Sequence, residues 1–231
     1  MHQHSPVRET PHRLQALAFQ VKTRLFQLRR GIAEMGRRPP AHRKAKALID
    51  APLVAEKRSP LWREVSPEEF PLTAGKVENL RIAARAFHSV EIPPGGVLSF
   101  WRQMGRTTRR KGYHSGRELR EGCIVPAIGG GLCQLSGLLY QAALEAGLEI
   151  IERHGPSRVV PGSQAEQDLD ATVFWNYVDL RFRNHLPWRI ETELTATELV
   201  VRIRAMSASR QPETPVPSEH LTSGGFGRGL G

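Results

Sequence analysis

Apolar residues fall three or four apart along the first stretch of the chain: Leu14, Leu17, Val21, Leu25, Leu28 and Ile32. That spacing lines one face of an α-helix. Lys22, Arg29 and Arg30 fall off the stripe, so the predicted helix is amphipathic and basic. Gly36 and the pair Pro39-Pro40 break the pattern, and residues 36–46 read as a linker or exposed loop. Residues 51–75 hold four prolines and little periodicity and read as irregular. Val77, Leu80, Ala84 and Phe87 predict a short helix over 76–88, and Pro93-Pro94-Gly95-Gly96 a turn before a short strand, Val97–Trp101. Residues 102–122 are rich in Gly, Arg and Thr and read as a loop-rich connection.

The second half is more regular. Leu132, Leu135, Leu139, Ala143 and Ala146 recur at helical spacing, and Gly147 follows them where a left-handed cap is common. A helix over about 132–146 is expected, opening at the run Gly129-Gly130-Gly131. Leu148–His154 reads as a strand and residues 155–170 as a polar loop. Ala171–Asn176, Leu180–Arg183, Arg189–Leu194 and Glu198–Arg204 read as strands, the last three with period-2 alternation. The turns between them are short, which predicts antiparallel hairpins. Residues 207–231 hold almost no core former and are expected to be disordered. Helices followed by antiparallel strands predict an α+β domain over 51–206, its Cys-bearing helix packed on a mainly antiparallel sheet. Residues 1–50 precede it as a basic amphipathic helix and linker.

Charge sharpens this division. The chain has 231 residues and a formal net charge of +10. Residues 1–50 hold 11 Lys/Arg and 3 Asp/Glu, leaving residues 51–231 with a net of only +2. A uniformly basic nucleic-acid-binding domain is therefore not expected. Two arrangements fit the N-terminal helix. Over residues 12–35 it could lie on an anionic membrane surface, or it could pack its stripe on its own domain with a solvated basic face, the commoner arrangement. No run approaches the roughly 18 apolar residues of a spanning helix. The first residues also lack the apolar run of a signal peptide. A cytoplasmic protein, peripheral to the membrane if the helix docks there, is the expectation.

Candidate chemistry centres on the Gly run. It places Cys133 in the first turn of a helix, where free amides and the helix dipole favour a thiolate. His154 ends the next predicted strand, which can run back along the helix towards Cys133. That order resembles papain-like and transglutaminase-like thiol sites, where His activates the sulfur. Asp168, Asp170, Asn176 and Asp179 are candidates to orient His154, with Asp170 and Asp179 favoured as strand starts. Amides of Gly129, Gly130 and Gly131 could hold an oxyanion, with Gln134 and Ser136 as neighbouring ligand-binding candidates. A second reading is a non-catalytic site for a peptide carboxylate at the same helix start. A third is a structural or interaction protein whose Cys133 simply packs. No Lys-Ser/Thr follows the glycines, so a nucleotide loop is not expected, and no cofactor is called for. Cys123 and Cys133 lack metal-ligand spacing, so no metal is expected; a disulfide between them stays open. Arg106, Arg109, Arg110 and Lys111 near Phe100, Trp101 and Tyr113 read as a solvated loop rather than a nucleic-acid surface.

Residues 92–184 also carry a resemblance. The elements Pro93-Pro94-Gly95, Gly105-Arg106-Thr107-Thr108, Lys111-Gly112-Tyr113, Gly129-Gly130-Gly131-Leu132-Cys133-Gln134, Glu152-Arg153-His154 and Asp179-Leu180-Arg181-Phe182-Arg183-Asn184 resemble the VanW family. This family is named for an accessory protein of vancomycin resistance clusters. The resemblance implies a cell-wall and glycopeptide-resistance context, with a cell-wall peptide or muropeptide as the candidate partner. Many members place a second His soon after the Glu-Arg-His element; here Gly155-Pro156-Ser157 follow.

Overall fold

A computed structural model describes residues 13–36, 38–62, 66–120, 123–156 and 168–206. The expected tail, 207–231, lies outside them. In chain order the elements are α1 (Arg13–Ala33), β1 (Leu53–Pro60), α2 (Phe70–Phe87), β2 (Val90–Ile92), β3 (Val97–Ser99), α3 (Phe100–Met104), β4 (Ser115–Arg120), β5 (Cys123–Ile128), α4 (Cys133–Glu145), β6 (Glu149–Glu152), β7 (Arg181–Arg183), β8 (Trp188–Leu194) and β9 (Glu198–Ala205). A single 3₁₀ turn, Arg109–Lys111, lies between α3 and β4.

Every strand pairing is antiparallel. The largest sheet has the order β1-β9-β8-β2, a second has β3-β7-β6, and β4-β5 form a hairpin. Period-2 alternation in β8 and β9 sorts the first sheet's faces. Trp188, Ile190, Leu199, Val201 and Ile203 point into the core with Leu80, Phe87, Leu135 and Leu139 from α2 and α4. The other face carries charges paired across the strands: Arg202 with Glu56 and Glu193, and Arg204 with Glu191. The α+β expectation holds, with helices against antiparallel sheets.

Several local expectations change. The proline-rich stretch contains β1, which pairs with β9 from Leu53 to Pro60. Its charged centre, Glu56-Lys57-Arg58, interrupts any apolar alternation, and pairing with β9 makes it a strand. Helix α2 begins six residues before the predicted start. The predicted strand Val97–Trp101 stops at Ser99, whose Oγ accepts from the Arg102 amide and opens α3. The supposed loop over 102–122 contributes β4. Of the predicted strand 171–176, residues 171–173 join no sheet ladder, and 175–177 form a turn closed by the Phe174–Val178 bridge. Residues 38–50 are strapped along the domain rather than free. The Ala45 amide donates to Ser89 O at 3.0 Å and Glu91 N to Arg43 O at 3.2 Å. The buried Arg189 reaches Ala45 O.

Helix α1 departs from the commoner expectation. It touches the domain through the edge carrying Phe26, Gln27, Arg30 and Glu34. Gln27 Nε2 donates to Trp175 O at 3.0 Å, and Phe26 stacks on Tyr177 with centroids 5.8 Å apart. Its stripe of Val21, Leu25, Leu28 and Ile32 faces away from the domain and is exposed. Ion pairs, rather than apolar burial, therefore dock this helix. Among the described residues no helix is long and apolar enough to cross a membrane.

Candidate functional site

The Gly run opens α4, but packing dictates its glycines. A Cβ on Gly130 would stand 2.4 Å from Gly116 O, and one on Gly116 would stand 2.4 Å from Gly130 O. Two backbones meet there with no room between them. From α2, the buried Asn79 clamps the junction: its Nδ2 donates to His114 O and Gly130 O, each at 3.0 Å, and its Oδ1 accepts from His114 N at 2.8 Å. Gly131 has φ +99°, a conformation a side chain resists. The amides proposed for an oxyanion are partly engaged: Gly129 N donates to His114 O at 3.0 Å and Gly130 N to Ala127 O at 2.9 Å. Gln134 Nε2 is turned to β1, bonding Ser59 Oγ and Pro60 O. The buried Ser136 Oγ donates to Ala171 O at 2.6 Å.

Cys133 is a free cysteine that reaches solvent. Its Sγ lies 4.0 Å from Val173 O. Burial of the sulfur pushes the thiol up to about 11, with the contact to Val173 O acting the other way and the negative charges of Asp170 and Glu118 adding to the rise. The two carboxylates carry the same sign of charge as a thiolate. Both act against the thiolate.

His154 faces elsewhere. Its Nε2 sits 3.2 Å from Glu152 Oε1, and no hydrogen bond joins it to Cys133. The extended residues 170–173 account for this separation. Ala171 O and Val173 O point to Ser136 and Cys133 on α4, whereas Thr172 N donates to His154 O at 2.8 Å and Asp170 O accepts from Arg153 Nε at 2.8 Å. Alternate peptide groups of an extended segment point to opposite sides. The segment's main chain thus bonds α4 through Ala171 and Val173 and the Arg153-His154 stretch through Asp170 and Thr172. Asp170 is on the α4 side: its Oδ1 would lie 3.0 Å from a Cβ on Gly137 and accepts from Ala171 N. Burial raises its carboxyl. Asp168 pairs with Arg153.

Asp179 belongs with His154, through Glu152. Asp179 is buried, with one oxygen accepting from Trp101 N and Leu180 N and the other from Ser99 Oγ at 2.6 Å and Arg181 Nε at 2.8 Å. Its own amide donates to Glu152 Oε1 at 3.1 Å. Glu152 is the centre of the cluster. Arg30 of α1 grips it bidentately, NH1 and NH2 each 2.6 Å from a carboxylate oxygen, and Arg181 Nε lies 3.4 Å away. Burial alone would raise Glu152; the Arg30 hydrogen bond and the charges of Arg30 and Arg181 outweigh it and hold the carboxyl below its ordinary range. Burial likewise acts to lower Arg30, and Glu152, with the charges of Glu34 and Asp179, more than reverses it. Arg181 also bonds Glu34 at 2.5 Å, closing a network between helix and domain.

Beside this network is a cleft of about 710 Å³, its open mouth included. Arg30, Arg38, Arg102 and Arg181 line it against Glu34 and Asp179, together with Trp101 and Trp175. The two indoles meet edge to face with centroids 5.3 Å apart. Trp101 Nε1 is tied to Val178 O at 2.8 Å, which fixes the wall. Asn176, at φ 60°, makes the tight turn that presents Trp175. Arg30 and Arg181 were not among the residues expected from chemistry. Arg181 and Glu152 do lie in the elements Asp179–Asn184 and Glu152-Arg153-His154 that carried the family resemblance. Among the described residues no group of three or more His, Cys, Asp or Glu is placed to hold a metal ion.

Residues 75–204 match the family model described as VanW like protein. A protein of Bacillus subtilis (strain 168), "Uncharacterized protein YoaR", is 37% identical over 106 residues, 46% of this chain and 34% of that protein. The vancomycin B-type resistance protein VanW of Enterococcus faecalis (strain ATCC 700802 / V583) is 32% identical over 143 residues, 60% of this chain and 51% of that protein. The chain thus spans between a third and about half the length of these relatives. No solved structure matches it. The chain belongs to the VanW-like family.

Proposed function

We propose that this VanW-like chain is a binding module for a carboxylate-bearing cell-wall peptide or muropeptide, taken up in the cleft between α1, α3 and residues 175–181. The observation that carries this reading is the make-up of the cleft wall: four arginines against two carboxylates, with two tryptophans. Counting Glu152, which Arg30 grips behind the wall, four arginines stand against three carboxylates; the remaining positive charge suits an anion, and a guanidinium matches a carboxylate through two parallel hydrogen bonds. An indole beside it suits a sugar ring or an apolar side chain. The cell-wall assignment rests on the family and on the resistance named for the Enterococcus faecalis relative. The carboxylate-binding alternative read from the sequence is kept in kind, while its place moves from the Gly run to this cleft. Acyl transfer or hydrolysis through Cys133 would need a base at the sulfur. The groups acting on that sulfur are instead a carbonyl and two carboxylates.

Calorimetric titration of the full chain with a soluble disaccharide-pentapeptide, and with the same compound amidated at its C-terminus, tests the reading. The free acid should bind more tightly than the amide. Arg102→Gln, at the exposed lip, should weaken binding by roughly tenfold, as loss of a hydrogen bond to a charged group does. Cys133→Ser should leave affinity unchanged. Equal affinity for acid and amide, or no binding of either, would refute the proposal.

A further inference from the structure

The outward face of α1 is a second surface that the cleft does not use. On α1, Val21, Leu25, Leu28 and Ile32 are between 61% and 65% exposed and share one face, and Met35, in the turn that follows the helix, is 75% exposed. A contiguous apolar strip left in water marks an interaction site. Successive residues turn by about 100° around a helix. The exposed Lys22 and Arg29 therefore flank one side of the stripe and the exposed Arg24 the other. No Asp or Glu occurs between Arg13 and Ala33. Opposite the stripe, Arg30 and Gln27 fasten the helix to Glu152 and Trp175 O.

This charge pattern selects the occupant. A second copy of the helix, laid stripe to stripe, would bring cationic flanks against cationic flanks. An anionic lipid surface instead accepts the stripe among its acyl chains and meets the flanks with phosphate groups. Helices of this kind lie in the bilayer plane, their apolar face sunk roughly 5–10 Å. We propose that α1 is an interfacial anchor whose stripe from Val21 to Met35 inserts into an anionic leaflet, with Lys22, Arg24 and Arg29 at the headgroups. Because Arg30 and Glu34 on its inner side also line the cleft, docking holds the cleft within about one helix diameter, roughly 10–12 Å, of the lipid.

Flotation of the full chain with vesicles of phosphatidylcholine alone, and with about a third phosphatidylglycerol, tests this proposal. Binding should require the anionic lipid and weaken with salt. The double substitution Leu25→Glu and Leu28→Glu, at exposed positions outside the core, should reduce partitioning at least about tenfold while circular dichroism stays unchanged. Each of Lys22→Gln, Arg24→Gln and Arg29→Gln should cost roughly fivefold. Failure to float with anionic vesicles overturns the proposal. So does binding that survives the double substitution, because charge alone would then explain it. A dimer in sedimentation that the double substitution dissociates, without vesicle binding, would assign the stripe to a second copy and also overturn it.

Discussion

The start of α4 and the end of β6 lie on either side of one extended segment, residues 170–173, and both carry residue types associated with catalysis. They have been filled differently. At α4, the Gly run, Asn79, Gln134 and Ser136 direct their polar groups at neighbouring backbone or at Ser59. The thiol that remains contacts Val173 O and feels the negative charges of Asp170 and Glu118. At β6, Glu152, Arg30, Arg181 and Asp179 form a network of paired charges beside an open cleft. A residue type becomes chemistry only when its neighbours leave it a use. The first region has been used for close packing, the second for holding a helix and lining a cleft.

Substitutions can break that contrast. The largest effect is expected from Gly130→Ala, where the new methyl group would strike Gly116 O. A loss of about 3 kcal/mol or more in urea unfolding is expected, at the upper end for overpacking because both partners are backbone. A loss below about 1 kcal/mol would show that the junction has slack and that packing does not require the glycine.

Next in size is Glu152→Gln, which leaves Arg30 and Arg181 without their shared anion. About 2–3 kcal/mol is expected, below the full cost of breaking a buried pair because Glu34 and Asp179 remain. Hydrogen exchange should quicken in α1 before the rest of the domain. The pH dependence follows from the lowered carboxyl. Glu152 adds stability in full above the ordinary Glu value of about 4.3, and that contribution is lost as pH falls through its lower folded value. The variant should therefore show a shallower loss of stability in acid, and an unchanged acid limb would remove Glu152 from the centre of the network.

The smallest effect belongs to Cys133→Ser, expected to change stability by no more than about 0.5 kcal/mol at an exposed position. The matching chemical measurement is iodoacetamide labelling of the native chain. At pH 7 it should run no faster than at an ordinary thiol, and it should rise towards the raised value of about 11. Fast labelling near neutrality would reverse the comparison and make α4 the reactive region.

How far the sequence could be read follows the range of the interactions involved. Helix α4, strands β8 and β9 and the amphipathic α1 were legible because their apolar spacing is local, and local spacing sets the periodic face. Strand β1 was not, since its exposed residues acquire strand geometry only by pairing with β9. The residues of the ion cluster were visible as a family signature in Glu152-Arg153-His154 and Asp179–Asn184, but their use was not. Arg30 meets Glu152 across 122 positions of chain. The sequence by itself therefore determined the α+β class, the family, the basic N-terminal helix and the Gly run before Cys133. Only the tertiary structure decided that the apolar stripe of α1 faces outward. It alone decided that His154 turns to Glu152 and that the open cleft lies beside Arg30 and Asp179. The reason is physical: periodicity fixes which residues share a face, whereas the partner of that face depends on which distant segment packs against it.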